Sequence, residues 1–210
     1  MSTPELITVF VSLFVVIDPI GMAPLFVALT AGMAPKKRRA VALRACLTAF
    51  ALLTVFGLFG DKVLEFIGIS MPAFRIAGGI LLLLTAFDML FERRAARRQN
   101  QADEDDLSED PSVFPLAMPL IAGPGAMATM ILLNAKADVG WAETFAIHAA
   151  MGAVIVVVFA LFLTAGLLER ALGPTGINLL TRLFGMLLAA LSVQFVLDGV
   201  REYAIILGLG

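Results

Sequence analysis

The sequence predicts an all-α polytopic membrane protein: six transmembrane helices arranged as two three-helix inverted repeats, with helices 1 and 4 broken. Three observations carry this expectation. Hydrophobic residues make up 60% of the 210 and charged residues only 15%, against about 45–50% and about 25% in an ordinary soluble domain. The apolar residues gather into six stretches of membrane-crossing length. Two segments of the first half also recur in the second at nearly one offset. A single cysteine and a single histidine leave no internal disulfide, CxxC redox pair or multi-histidine metal centre. No basic face outside the spans is large enough for nucleic acid.

The first span is read over 6–33, with Asp18 as its only charge. Thr3 and Pro4 look like its helix start, because Pro in the first turn loses no hydrogen bond. The leading MSTPE has no cationic region, and the apolar run behind it is too long for a removable signal peptide. The second span is read over 41–60, the third over 71–91 and the fourth over 112–135. The fifth is read over 144–168 and the sixth over 177–200. Gly78, Gly79, Gly152 and Gly185 allow close helix contact. Segment 92–111 is a polar linker between repeats 1–91 and 112–210, basic first and acidic later, to which no binding role is assigned.

Lys and Arg placement sets the orientation. The loop after the first span holds Lys36, Lys37, Arg38 and Arg39, with Arg44 just beyond; the linker holds Arg93, Arg94, Arg97 and Arg98; Arg170 and Arg182 flank the loop after the fifth. These eleven define the cytoplasmic side, against four (Lys62, Arg75, Lys136 and Arg201) on the other. Six spans then put both termini outside.

The repeat rests on IDPIGMAPLF (17–26) over AGPGAMATMI (122–131), offset 105, and FRIAGGILLLLT (74–85) over TRLFGMLLAALS (181–192), offset 107. Three spans per half force the second half upside down. Inverted repeats are characteristic of secondary transporters, with the site near mid-membrane between the halves.

The repeat centres supply the candidate residues. Asp18-Pro19-Ile20-Gly21-Met22-Ala23-Pro24 cannot continue a regular helix, and its counterpart is Gly123-Pro124-Gly125, preceded by Pro115 and Pro119. One reading is two proline kinks. The other is two discontinuous helices whose N-termini offer N–H groups to an anion and whose freed carbonyls face a cation. A carboxylate at mid-membrane costs about 2.5–3.5 kcal/mol. Asp18 is therefore read as a functional residue, a proton carrier or a partner for a substrate ammonium, and equally as the cap of a helix starting at Pro19. Arg75 and Asp88 in the third span recur as Arg182 and Asp198 in the sixth. Arg75 with Asp198 and Arg182 with Asp88 could latch gates on opposite faces, or each could snorkel alone. His148 is read as an interfacial residue rather than a proton relay.

The segments VSLFVVIDPIGMAPLFVALTAGM and PLIAGPGAMATMILL resemble the MarC family, also described as a neutral amino acid transporter family. The chain is similar, more distantly, to the LysE-type exporter superfamily. The resemblance covers essentially the whole chain. It implies a multi-pass protein of a bacterial or archaeal cytoplasmic membrane, the inner membrane in bacteria, moving a small neutral amino acid such as alanine or glycine. It carries over Asp18, Pro19, Gly21, Pro24, Gly123, Pro124 and Gly125; Thr129, in the same stretch, joins them as a candidate substrate-binding residue.

The resulting expectation is a secondary transporter of small zwitterions, with no cofactor beyond a coupling ion, H⁺ or Na⁺. No phosphate-binding loop is present for ATP. No nucleophile–base pair or metal set supports an enzyme. The alternatives are a non-transporting membrane scaffold or regulator, and an exporter of another small solute. A homo-oligomer is left open.

Overall fold

The computed structural model describes residues 1–91, 110–135 and 140–208, apart from the Glu169 side chain. Arg93, Arg94, Arg97, Arg98, Lys136 and nearly all of the expected linker lie outside the described residues. Within them every element is a helix: α1 (Thr3–Ile17), α2 (Pro19–Leu29), α3 (Pro35–Ile67), α4 (Met71–Leu90), α5 (Ser112–Ile121), α6 (Pro124–Asn134) and α7 (Trp141–Ile206). Five stretches are long and apolar enough to cross a membrane, or six when the bent pair α5 and α6 is taken as one. Two of the five, Trp141–Leu168 and Arg170–Ile206, belong to α7.

Local signals set the ends. Glu5 accepts the Ser2 N–H at 2.7 Å, which starts α1 where Thr3 and Pro4 predict it. Gly68 ends α3 in the left-handed region at φ 83°. Its N–H reaches Glu65 and that of Ile69 reaches Leu64, the paired bonds that close a helix on a glycine. Ser70 accepts the Ala73 N–H and starts α4. Within α7, Gly173 at φ 62° and ψ 173°, followed by Pro174, is a non-helical kink inside the stretch Arg170–Ile206.

Two helices overrun their apolar stretches. α3 has 33 residues, against the expected 41–60, so Lys36 to Arg39 lie in its first turns rather than in a loop. The sixth span runs Arg170–Ile206, against 177–200, and takes Arg170 into helix. Hydropathy falls where the lipid ends, but backbone hydrogen bonding continues in the headgroup zone. Lys and Arg are good helix formers there, and Pro35 sits in the first turn of α3.

The bundle is apolar inside and out. Leu13, Met22, Phe26, Leu53, Leu82, Met130 and Phe162 are fully buried, while Leu47, Val55, Ile80, Leu84, Val156 and Leu187 are exposed. That exposed belt faces lipid, which solvates it as well as a core would. α4 packs antiparallel on the sixth span through glycines. A Cβ at Gly79 would stand 2.8 Å from the Ser192 carbonyl oxygen, and one at Gly199 2.9 Å from that of Pro72. One at Gly185 would stand 3.3 Å from that of Ala86. Phe26 of α2 stacks on Phe162 at 4.3 Å, with the Arg38 guanidinium over its ring.

Candidate functional site at the two helix breaks

The first span breaks at one residue. Asp18 adopts φ 54° and ψ 63°, a left-handed conformation that Asp tolerates better than most side chains. It closes both helices. Its N–H donates to the Phe14 carbonyl at 2.9 Å, and its Oδ1 accepts the Gly21 N–H at 3.1 Å. The capping role expected of Asp18 is thus present, in a residue that is fully buried. Gly21 fits because a Cβ there would overlap the Asp18 Oδ2.

The expectation that two prolines and a glycine forbid regular helix over the whole segment is corrected. α2 runs unbroken from Pro19 to Leu29 with Pro24 inside it. Pro19 occupies the first position, where no intrahelical bond is lost. Asp18 satisfies Gly21, and Pro24 removes only the bond to the Ile20 carbonyl. α1 and α2 together still form one span-length unit of 27 residues.

The fourth span breaks more severely. α5 is an irregular helical stretch with extended backbone at Phe114 and Met118. Each precedes a proline, whose ring disfavours helical geometry in the residue before it. α5 and α6 meet at 57°. Gly123 precedes α6 in extended conformation, and a Cβ there would stand 2.6 Å from the Pro119 carbonyl oxygen. Gly125 is buried; its Cβ would lie 2.9 Å from Leu82 Cδ2 and 3.6 Å from Val16 Cγ1. Val16 is two residues before Asp18, so the two breaks lie side by side.

The remaining candidates fall into place around this junction. Pro19 is buried, Gly21, Pro24 and Gly123 are half-buried, and Pro124 is exposed. Thr129 is fully buried and donates its hydroxyl to the Gly125 carbonyl at 2.8 Å, bracing the first turn of α6. The N-termini of α2 and α6 are positive ends of helix dipoles, and the N–H groups of Gly125 and Ala126 precede the first intrahelical bond. Chemically this is a carboxylate beside anion-favouring backbone.

Of the charged residues expected as gates, Arg75 is placed differently from the expected pairing with Asp198. Arg75 pairs with Glu202, one turn beyond Asp198. Asp198 accepts a hydrogen bond from Gln194 at 2.8 Å. At the other end of the same helix crossing, Asp88 is half-buried and Arg182 exposed, on either side of the Gly185 contact. Glu202 escaped the sequence reading because it lies past the apolar stretch. Its signal was an acid four residues after another acid on a helix. Two more pairs tie the ends of the bundle: the Met1 amine to Glu143 at 3.0 Å and Arg44 to Asp110 at 2.6 Å.

Residues 3–204 match the model of the MarC family integral membrane proteins. The chain is similar to the UPF0056 membrane protein MJ1677 of Methanocaldococcus jannaschii, 36% identical over 96% of this chain and 98% of that one. It is 34% identical to the UPF0056 membrane protein YhcE of Escherichia coli, over 91% of this chain and 90% of the relative. It is 35% identical to YvbG of Bacillus subtilis, over 93% and 94%. No solved structure matches it. With one family model spanning almost the whole sequence and relatives aligned nearly end to end, the chain belongs to the MarC family of integral membrane proteins.

Proposed function

We propose that this protein is a secondary transporter of small neutral amino acids or similar small zwitterions, working by alternating access between two inverted three-helix repeats in a bacterial or archaeal cytoplasmic membrane. The observation that carries the reading is the junction of the two breaks. A buried carboxylate, Asp18, and interrupted backbone at Gly123 stand together within otherwise apolar helices. Each is expensive in lipid, and each is tolerated where it lines a path for a polar solute. A zwitterion matches what the junction offers: helix N-termini for its carboxylate, Asp18 or bare carbonyls for its ammonium. H⁺ or Na⁺ would be the coupling ion.

The ion pairs support six crossings. Met1 with Glu143 and Arg75 with Glu202 join segment ends that six spans put on one side. Arg44 with Asp110 joins ends that six spans put on the other. The Lys and Arg bias makes the second side cytoplasmic. The break in each half and the antiparallel pairing of α4 with the sixth span support the inverted repeat. Arg75–Glu202 is a candidate latch of the outer gate, with Asp198 beside it; Arg182 and Asp88 occupy the matching place at the inner end.

Purified protein in liposomes, given labelled alanine or glycine under an imposed H⁺ or Na⁺ gradient, tests the reading. Uptake by the wild type, and its loss in Asp18→Asn protein that inserts and folds, is the expected result. No gradient-driven uptake of either amino acid would overturn it. Reporter fusions at residue 100 and at the C-terminus test the orientation, and a cytoplasmic C-terminus would overturn the six-span topology.

A further inference from the structure

A cavity with both members of the Arg75–Glu202 pair in its wall lies at the end of the bundle that six spans make the outer one. Its volume is about 570 Å³, and Arg75, Glu202, Met71, Pro72, Ala135 and Ile205 line it. That volume falls within the range of about 300–1,000 Å³ common to small-ligand sites. Met71 and Pro72 open α4, and Ala135 closes α6. The cavity therefore sits between the positive end of one helix dipole and the negative end of another. The two side chains add one full charge of each sign.

A seam joins this cavity to the helix breaks. Arg75, Gly78 and Leu82 follow one another at three- and four-residue spacing on one face of α4, and Ala135, Leu132, Ala128 and Gly125 do the same on α6 and its cap. The two faces meet in register. A Cβ at Gly78 would stand 3.4 Å from Ala128 Cβ and 3.5 Å from Leu132 Cδ1, and one at Gly125 would stand 2.9 Å from Leu82 Cδ2. These contacts are all between apolar groups, so the seam below Arg75 is closed by packing that can part and re-form. α6 has 11 residues, so the cavity lies roughly 16 Å from the break at Gly123.

A guanidinium carries five N–H donors and a carboxylate two acceptor oxygens. Among the described residues the pair makes one contact, Arg75 Nη1 to Glu202 Oε1. Glu202 is partly exposed, and an ion pair open to solvent is weakly held, so a ligand can exchange with it. An anion alone would take Arg75 and strand the Glu202 charge. A cation alone would take Glu202 and strand Arg75. A zwitterion brings a partner for each and replaces one ion pair by two. The geometry points to a binding site for small zwitterions, with the ligand carboxylate on Arg75 at the start of α4 and the ligand ammonium on Glu202, near the end of α6. Arg75 suits the carboxylate because its fork can hold both oxygens. Met71, Pro72 and Ile205 supply an apolar wall for a short side chain. Binding releases α4 from the sixth span at this end, because the ligand takes both partners of the pair that joins them. That the site is the entry of a transport path rests on the transport reading; the binding itself does not.

The test uses full-length protein with Ile205→Cys in nanodiscs and reads the rate of labelling by a neutral, water-soluble thiol reagent; the native Cys46 is buried. Millimolar L-alanine should slow labelling, and acetate or ethylamine at the same ionic strength should not. Glu202→Gln should raise the alanine concentration needed by roughly tenfold, the worth of one charged hydrogen bond. It should also let acetate protect, since Arg75 then has no carboxylate of its own. Protection by alanine should survive, weakened, in Arg75→Lys and vanish in Arg75→Gln. Glu202 is the more exposed partner, so Glu202→Gln carries the test should Arg75→Gln fail to fold. Asp18→Asn should leave protection unchanged, and its loss there would move the alanine effect to the helix breaks and overturn the site. No protection by alanine, equal protection by acetate or ethylamine with the pair intact, or alanine protection indifferent to Glu202→Gln would overturn it as well. The readout needs no flux, so liposomes that take up no alanine while protection holds would overturn the transport reading alone.

Discussion

The carboxylate of Asp18 lies folded over Gly21: Oδ1 accepts the Gly21 N–H at 3.1 Å, and Oδ2 occupies the space a side chain at Gly21 would need. The two residues form a single device, since the left-handed turn at Asp18 brings its carboxylate onto the first turn of α2.

Gly21→Ala should therefore act as the loss of Asp18 does. The new Cβ expels the carboxylate, and the cap goes with it, at about 1–2 kcal/mol. Asp18→Ala removes the same bond, while Asp18→Asn keeps an acceptor and should be milder. The double variant Asp18→Ala with Gly21→Ala should be no less stable than the worse single one, because both remove one interaction. Thermal unfolding in detergent measures all four. Simple additivity would mean the two residues act separately.

The two glycines at the second break should differ in whether a neighbour can rescue them. Gly123→Ala sets a Cβ against the backbone oxygen of Pro119, which cannot move without reshaping α5. Gly125→Ala meets the far end of Leu82, a side chain that can shorten. Overpacking of this kind costs about 1–3 kcal/mol. Leu82→Val should recover much of the stability of Gly125→Ala and none of that of Gly123→Ala. Unfolding midpoints of the four proteins decide it, and equal rescue of both would count against the contact.

The breaks were legible in the sequence because proline and glycine act locally: Asp18-Pro19 and Gly123-Pro124 announce a stop and a start wherever they occur. The continuity of α2 through Pro24 was not, since it depends on a first turn already satisfied by Asp18. The excess length of α3 was hidden because apolarity reports lipid, while helix needs only backbone partners. Glu202 lay in the corresponding extension of the sixth span, beyond 200, and took Arg75 in place of Asp198. Asn134 and His148 come from two segments and follow no spacing rule. Only packing around Gly57 makes them neighbours.

The choice of Glu202 by Arg75 separates two acids a turn apart. Glu202→Gln should weaken the contact between α4 and the sixth span, and Asp198→Asn should leave it intact. The Arg75 side chain is largely buried and that of Glu202 partly exposed, so the stability effect should stay near about 1 kcal/mol. Arg75→Glu should be rescued by Glu202→Arg in the double exchange, read as accessibility of a cysteine at Ile205 to a thiol reagent. Rescue by Asp198→Arg instead would move the latch one turn inward.

Asp110 gives the fold an acid-sensitive tie on the side of the linker. Burial pushes its carboxyl up, but the Ser112 hydroxyl and N–H, and then the Arg44 and Lys37 charges, together hold it below the ordinary value of 3.8. The Ser112 N–H reaches Asp110 Oδ1 at 3.2 Å, and Arg44 reaches Oδ2 at 2.6 Å. A carboxyl lowered on folding contributes stability that is full above its unfolded value and is lost as pH falls through the folded one. The loss should therefore begin as pH drops below about 4 and continue further down, with no effect near neutrality. Asp110→Asn keeps an acceptor for Ser112 but has no charge to neutralise, so its stability should be flatter with pH over that window. Both carboxylate and guanidinium are partly exposed, so added salt should shrink the difference by screening the pair. Unfolding midpoints in detergent from pH 6 to pH 3, at low and high salt, measure it. Identical acid limbs in the two proteins would show that Arg44 and Asp110 contribute nothing to holding α5 against α3.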